Sequence, residues 1–113
     1  MDKVEEVIRS FGGHQYRSCY KDLCWLIYVE MDYQPDPPKM KVVVVEAASK
    51  RARKCSPDSL WRSVARAVED LWDHGDLDAL IAYQHCWKRY RPKPQEFVQV
   101  VAGRIWHEEM SNG

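Results

Sequence analysis

The stretch SPDSLWRSVARAVEDLWDHG, residues 56–75, constrains the fold more than any other part of the chain. It has a start, a stop and one apolar face. Ser56 stands where a helix cap is needed, and Pro57 suits the first helical position because the N–H it lacks would go unbonded there. Asp58 complements the positive end of the helix dipole. Leu60, Val64, Ala67, Val68 and Leu71 then recur at helical spacing, with Trp72 at the edge of the stripe and Gly75 at the C′ position. The pattern predicts a helix over 57–73 that buries one side and presents the other.

Similar periodicity runs through most of the sequence. Val4, Val7, Ile8 and Phe11 predict a short first helix, stopped by Gly12-Gly13. Tyr16, Tyr20, Leu23, Ile27 and Met31 share one stripe and predict a longer second helix, broken by Gln-Pro-Asp-Pro-Pro at 34–38. Two signals conflict over KMKVVVVEAASKRARK, residues 39–54. Four consecutive valines favour a strand, yet Met40, Val43, Val44, Ala47, Ala48 and Ala52 keep helical spacing. With no second strand to pair with, a lone strand would leave its backbone groups unbonded, so the expectation is a helix over 39–54. Asp76 is placed to cap a short helix through about Tyr83, and a basic loop over 88–94 leads to a last helix carrying Phe97, Val98, Val101, Ala102, Ile105 and Trp106 on one face. The expected fold is all-α, about six helices in a single domain over 1–113.

Several function classes find no support in the sequence. A length of 113 residues suits one domain. No apolar run approaches the roughly 20 residues needed to cross a bilayer, and the N-terminal residues carry charges of both signs with no signal core behind them. A cytoplasmic protein without a membrane partner is expected. Cys19, Cys24, Cys55 and Cys86 lack the close-pair spacing of structural zinc sites, and His14, His74, His85 and His107 are scattered. Free thiols, no metal and no cofactor are therefore expected. There is no Gly-rich phosphate loop, nucleophile elbow or HExxH pattern, and the adjacent Glu108 and Glu109 point to different sides of a helix. The expectation is a protein that binds rather than an enzyme.

Charge says what it would bind. Net charge is zero, but its distribution is uneven. Residues 39–66 carry eight basic and two acidic side chains, 67–87 carry none and five, and 88–94 carry four and none. The positive charge thus falls on the tightly joined helices 39–54 and 57–73 and on the 88–94 loop, and a short join of this kind suits a helix-turn-helix. DNA rewards such clustering because lysine and arginine displace counterions from its phosphates. The alternative is a solvated basic face without a partner.

SPDSLWRSVARAVEDLWDHGDLDAL resembles the recognition-helix region of the C-terminal effector domain of the sporulation master response regulator of endospore-forming bacteria, the stage-zero sporulation protein A family. Ser56, Leu60, Arg62, Val64, Ala67, Glu69, Trp72, Gly75 and Asp78 match its pattern. Phe11-Gly12 ahead of a helix with Tyr20, Leu23 and Ile27 is similar to the family's start. Lys93-Pro94 followed by Glu96-Phe97-Val98 and Val101-Ala102 is similar to its last helix. The resemblance implies a bacterial, six-helix, helix-turn-helix transcription regulator that binds double-stranded DNA near promoters, as a homodimer or in tandem, and acts on the RNA polymerase sigma subunit. The family's phosphoacceptor receiver domain is not expected here, because the chain begins at Met1 directly in the effector-like region.

The departures fall on the DNA-facing positions. Where the family has an Arg, a Glu, an Arg and a further Arg, this chain has Ser59, Trp61, Arg62 and Ala65, so Arg62 alone is kept. An arginine bidentate to guanine is worth roughly 1–3 kcal/mol of base discrimination, so the family's operator preference is not expected to survive. The base-reading set is then Ser59, Trp61, Arg62, Ala65 and Arg66, with Arg66 compensating in part. Lys50, Arg51, Arg53, Lys54, Ser56, Lys88, Arg89, Arg91 and Lys93 form the phosphate-holding set. Trp61 has two readings, contact with a thymine methyl or sugar and core edge or protein contact, of which the second is favoured. It motivates the alternative function, a protein-interaction module that keeps the fold and has lost specific DNA binding.

Overall fold

A computed structural model describes residues 2–112 and places six α-helices and no strand among them. In chain order they are α1 (Lys3–Ser10), α2 (Ser18–Met31), α3 (Met40–Lys50), α4 (Pro57–His74), α5 (Leu77–Tyr83) and α6 (Pro94–Asn112), with a 3-10 turn over His85–Lys88. The expected all-α architecture is thus the observed one.

The second helix is the hub. Its sequence is apolar on more than one side, so Tyr20, Leu23, Leu26, Ile27 and Val29 are all buried, and it packs against α1, α3, α4 and α6. A helix buried on several faces must have neighbours on each, and the remaining helices supply them. Under α4 and α6 lies an aromatic cluster. Phe97 stacks on Trp87 at 5.4 Å, and Trp72 and Phe11 meet Phe97 edge-on at 5.9 and 6.1 Å. These geometries are the ones ring quadrupoles favour, and they fix how the base of α4 sits on the body.

The conflicting segment resolves as a helix. Val43, Val44, Ala47 and Ala48 are buried, whereas Val42 and Val45 face outward at 46% and 54% exposure. Helical spacing therefore prevails over the strand propensity of valine because the helix buries half of the valine run against α2 and α4. It ends at Lys50, four residues short of the sequence expectation. The backbone of Arg51 turns extended, with ψ of 136°. Its guanidinium bonds Asp22 at 3.0 Å and lies 5.7 Å over the Trp25 ring, contacts that draw the chain back onto α2. Residues 51–56 thus form a six-residue connection to α4, longer than the join expected from the sequence.

Two other expectations need correction. Tyr16 lies in a turn ahead of α2 and is 81% exposed, so it is no part of the buried stripe. Gly75 does close α4, but its φ of −86° is extended rather than left-handed. Glycine is needed there for space, since a β-carbon would collide with the carbonyl oxygens of Leu71 and Phe11. At this point the chain after α1 touches the end of α4: Asp76 N–H donates to the Phe11 carbonyl at 2.8 Å, beside a Gly12–Gly75 bridge. Gly12 and Gly13 have φ of +76° and +73°, a region that only glycine enters cheaply.

Candidate nucleic-acid interface

The start of α4 is built as its sequence suggests. Ser56 Oγ accepts the N–H of Ser59 at 3.1 Å, and Pro57 opens the first turn. Leu60, Val64, Ala67, Val68 and Leu71 are buried, anchoring the inner face. That rotation leaves Ser59, Arg62 and Arg66 exposed, while Trp61 and Ala65 are half-buried. Arg62 and Arg66 stand four residues apart and so share one ridge. Among the described residues neither has an ion-pair partner.

The expected phosphate-holding set divides in two. Arg51 is held by Asp22 and Trp25, Lys50 bonds Glu46 at 2.6 Å, and Arg91 reaches Asp73 at 3.4 Å and the Glu69 carbonyl at 2.9 Å. The hydrogen bond from Lys50 holds the Glu46 carboxyl below its usual range, with help from the Tyr33 hydroxyl. Arg53, Lys54, Lys88, Arg89 and Lys93 are exposed with no ion pair among the described residues. Ser56 is occupied as the cap. Lys21, which the sequence reading passed over, joins this surface. It lines a cleft of about 320 Å³ with Ser18 of α2, Arg53 and Cys55 of the connection, and Ser59 of α4. No local signal marks Lys21, since only the packing of α2 on α4 brings it beside the connection.

Trp61 turns away from the arginine ridge. With Met40, Val42, Val44 and Val45 of α3, Pro57 and Asp58 of α4 and Gln95 of α6, it lines an open groove of about 590 Å³. This tryptophan is partly buried against the core.

A second polar centre lies near the other end of α4. Asp70 is 4% exposed. Its Oδ2 accepts the Tyr20 hydroxyl at 2.5 Å and the backbone N–H of His14 at 2.8 Å, while Oδ1 lies 2.8 Å from His14 Nδ1 and 3.3 Å from Arg17. Burial alone would raise the carboxyl, but the bonds from Tyr20 and His14 outweigh it and hold the group down to about 2. Burial and the carboxylate push the Tyr20 hydroxyl far up, so it stays protonated as a donor. Two of the four histidines, far apart in sequence, meet here, since the His14 and His74 rings lie 4.6 Å apart. Gly13 makes the approach possible, because a β-carbon there would strike the Tyr20 hydroxyl.

Comparison of the chain with protein-family models, with curated proteins and with solved structures finds no match.

Proposed function

We propose that the chain binds double-stranded DNA, with α4 as the helix that enters the major groove and α3 with its connection lying over the phosphates. One observation carries this reading: Arg62 and Arg66 stand without an ion-pair partner among the described residues, on the exposed ridge of a helix whose start is capped and whose inner face is locked in the core. A groove-reading helix needs that combination, a rigid mount and unspent cations, because an arginine already paired must lose its partner before it can meet a base. Arg53, Lys54 and Lys21 beside the start of α4, with Lys88, Arg89 and Lys93 beyond α5, supply exposed charge for phosphates. Ser59 sits one turn ahead of Arg62 and completes the base-reading ridge. Trp61 and Ala65 lie off it.

The role is that of a transcription regulator similar to the sporulation effector domain, with paired binding on DNA and contact with the polymerase sigma subunit as extensions of the same reading. Selection of bound duplexes from a random library tests it. An enriched motif in the parent that is lost in Arg62→Ala supports base reading by α4, whereas recovery of unenriched sequence removes that role. A second reading, a protein-interaction module, draws on the apolar groove beside Trp61. It predicts that Trp61→Ala abolishes function while the arginine substitutions leave it intact.

A further inference from the structure

Asp70 and His74 are four residues apart near the end of α4, so both side chains leave the same helix face. The loop after α1 sets His14 against them from across the fold. One donor atom from each of the three residues lies within 4.8 Å of the others, and the two imidazole rings are 4.6 Å apart. Arg17, Asp73 and Tyr16 share the cleft of about 540 Å³ onto which Asp70 and His74 open.

We propose that His14, Asp70 and His74 form a binding site for one divalent transition-metal ion, zinc being the ion that suits these donors best. Two imidazole nitrogens and one carboxylate oxygen are a donor set zinc accepts, with the fourth position left to water. An i, i+4 pair on a helix is a spacing by which one face offers two ligands to a single ion. The two oxygens of Asp70 divide the work. Oδ2 is held by the Tyr20 hydroxyl and the His14 N–H, and such outer bonds orient a ligand carboxylate. Oδ1 faces His14 Nδ1 at 2.8 Å, not far from the roughly 3.4 Å separating neighbouring donors around a tetrahedral zinc with bonds of about 2.1 Å. Three adjustments complete the site. His14 Nδ1 and Asp70 Oδ1, now 2.8 Å apart, give up their mutual hydrogen bond, the proton between them passing to solvent as the ion takes its place. Arg17, whose side chain is half exposed at 51%, withdraws from Oδ1 into solvent, and the exposed His74 side chain swings inward to close the 4.8 Å span. The bound ion would clamp the 12–17 loop to the end of α4, beside the cleft that Arg66 also lines.

The test uses the whole chain, stripped with a chelator and titrated with zinc chloride alone, then with cobalt chloride as an optical probe. The expected result is one equivalent bound, a Tm that rises with zinc concentration, and cobalt d–d bands with no thiolate charge-transfer band. His74→Ala, at an exposed position, is expected to keep the metal-free Tm and to bind zinc at least tenfold more weakly. A His85→Ala/His107→Ala variant is expected to bind as the parent does. The proposal is overturned if zinc leaves the parent's Tm unchanged at millimolar concentration, or if His74→Ala responds like the parent. A thiolate band in the cobalt spectrum would also overturn it, because the cysteines would then be the ligands.

Discussion

Glu30 lies in α2 at 0% exposure, and both its carboxylate oxygens are buried without a hydrogen-bond partner among the described residues. Burial pushes its carboxyl above the usual range, so the folded protein holds this proton more tightly than the unfolded chain does. The associated stability is whole below the unfolded value of 4.5 and is lost as pH climbs from there through the folded value. Glu30→Met is expected to raise stability at neutral pH by about 1–3 kcal/mol and to remove that part of the pH dependence, as read by urea melts at several pH values. Asp70 behaves oppositely. Its carboxyl is lowered to about 2, so its contribution is present above 3.8 and fades as pH falls toward the folded value. Tyr20→Phe, which removes a donor to this charged group, is expected to cost about 1.5–3 kcal/mol in the same melts. The two acids were not equally hidden in the sequence. Glu30 follows Leu23 and Ile27 at seven and three residues, the spacing of the buried stripe, so its burial was legible had the stripe been followed through a charged residue. Asp70 gave no such sign, because its partners His14, Arg17 and Tyr20 come from 50 to 56 residues away.

At the level of elements, the best-read helix is the one with the clearest ends. Ser56, Pro57 and Gly75 mark the limits of α4, and the observed helix runs one residue past its expected end. Ser56→Ala is expected to cost about 0.5–2 kcal/mol in thermal or urea denaturation, since the N–H of Ser59 loses its acceptor. If α4 reads bases, the same substitution also weakens DNA binding, because the cap sets the first turn that carries Ser59. The helix over 39–54 was legible in kind but not in length. Local spacing cannot disclose that Arg51 leaves the helix for Asp22 and Trp25, contacts that exist only once α2 is packed alongside. Gly75 shows the same limit. Its place at the helix end is local information, whereas the reason for it, the crowding by Leu71 and Phe11, belongs to the tertiary structure.

Over the whole molecule, the segregation of a net-neutral charge was visible in the sequence, and which cations remain unspent was not. Folding ties Arg51 and Arg91 to acidic partners and pairs Lys50 with Glu46, while it leaves Arg53, Lys54, Lys88, Arg89 and Lys93 exposed, as it does Arg62 and Arg66, and adds Lys21 beside the start of α4. The proposed DNA-binding role rests on that unspent set, and its signature is electrostatic. Six phosphate contacts at about 0.9 each give a slope of log K against log salt near −5.4. The most direct measurement is anisotropy of a labelled duplex against salt, for the parent and for Arg62→Ala/Arg66→Ala. The account predicts binding at 50 mM salt that falls with a slope of about −5 to −6, and clear loss of affinity in the double variant. Absence of binding at that salt, or equal binding by parent and variant, would contradict it.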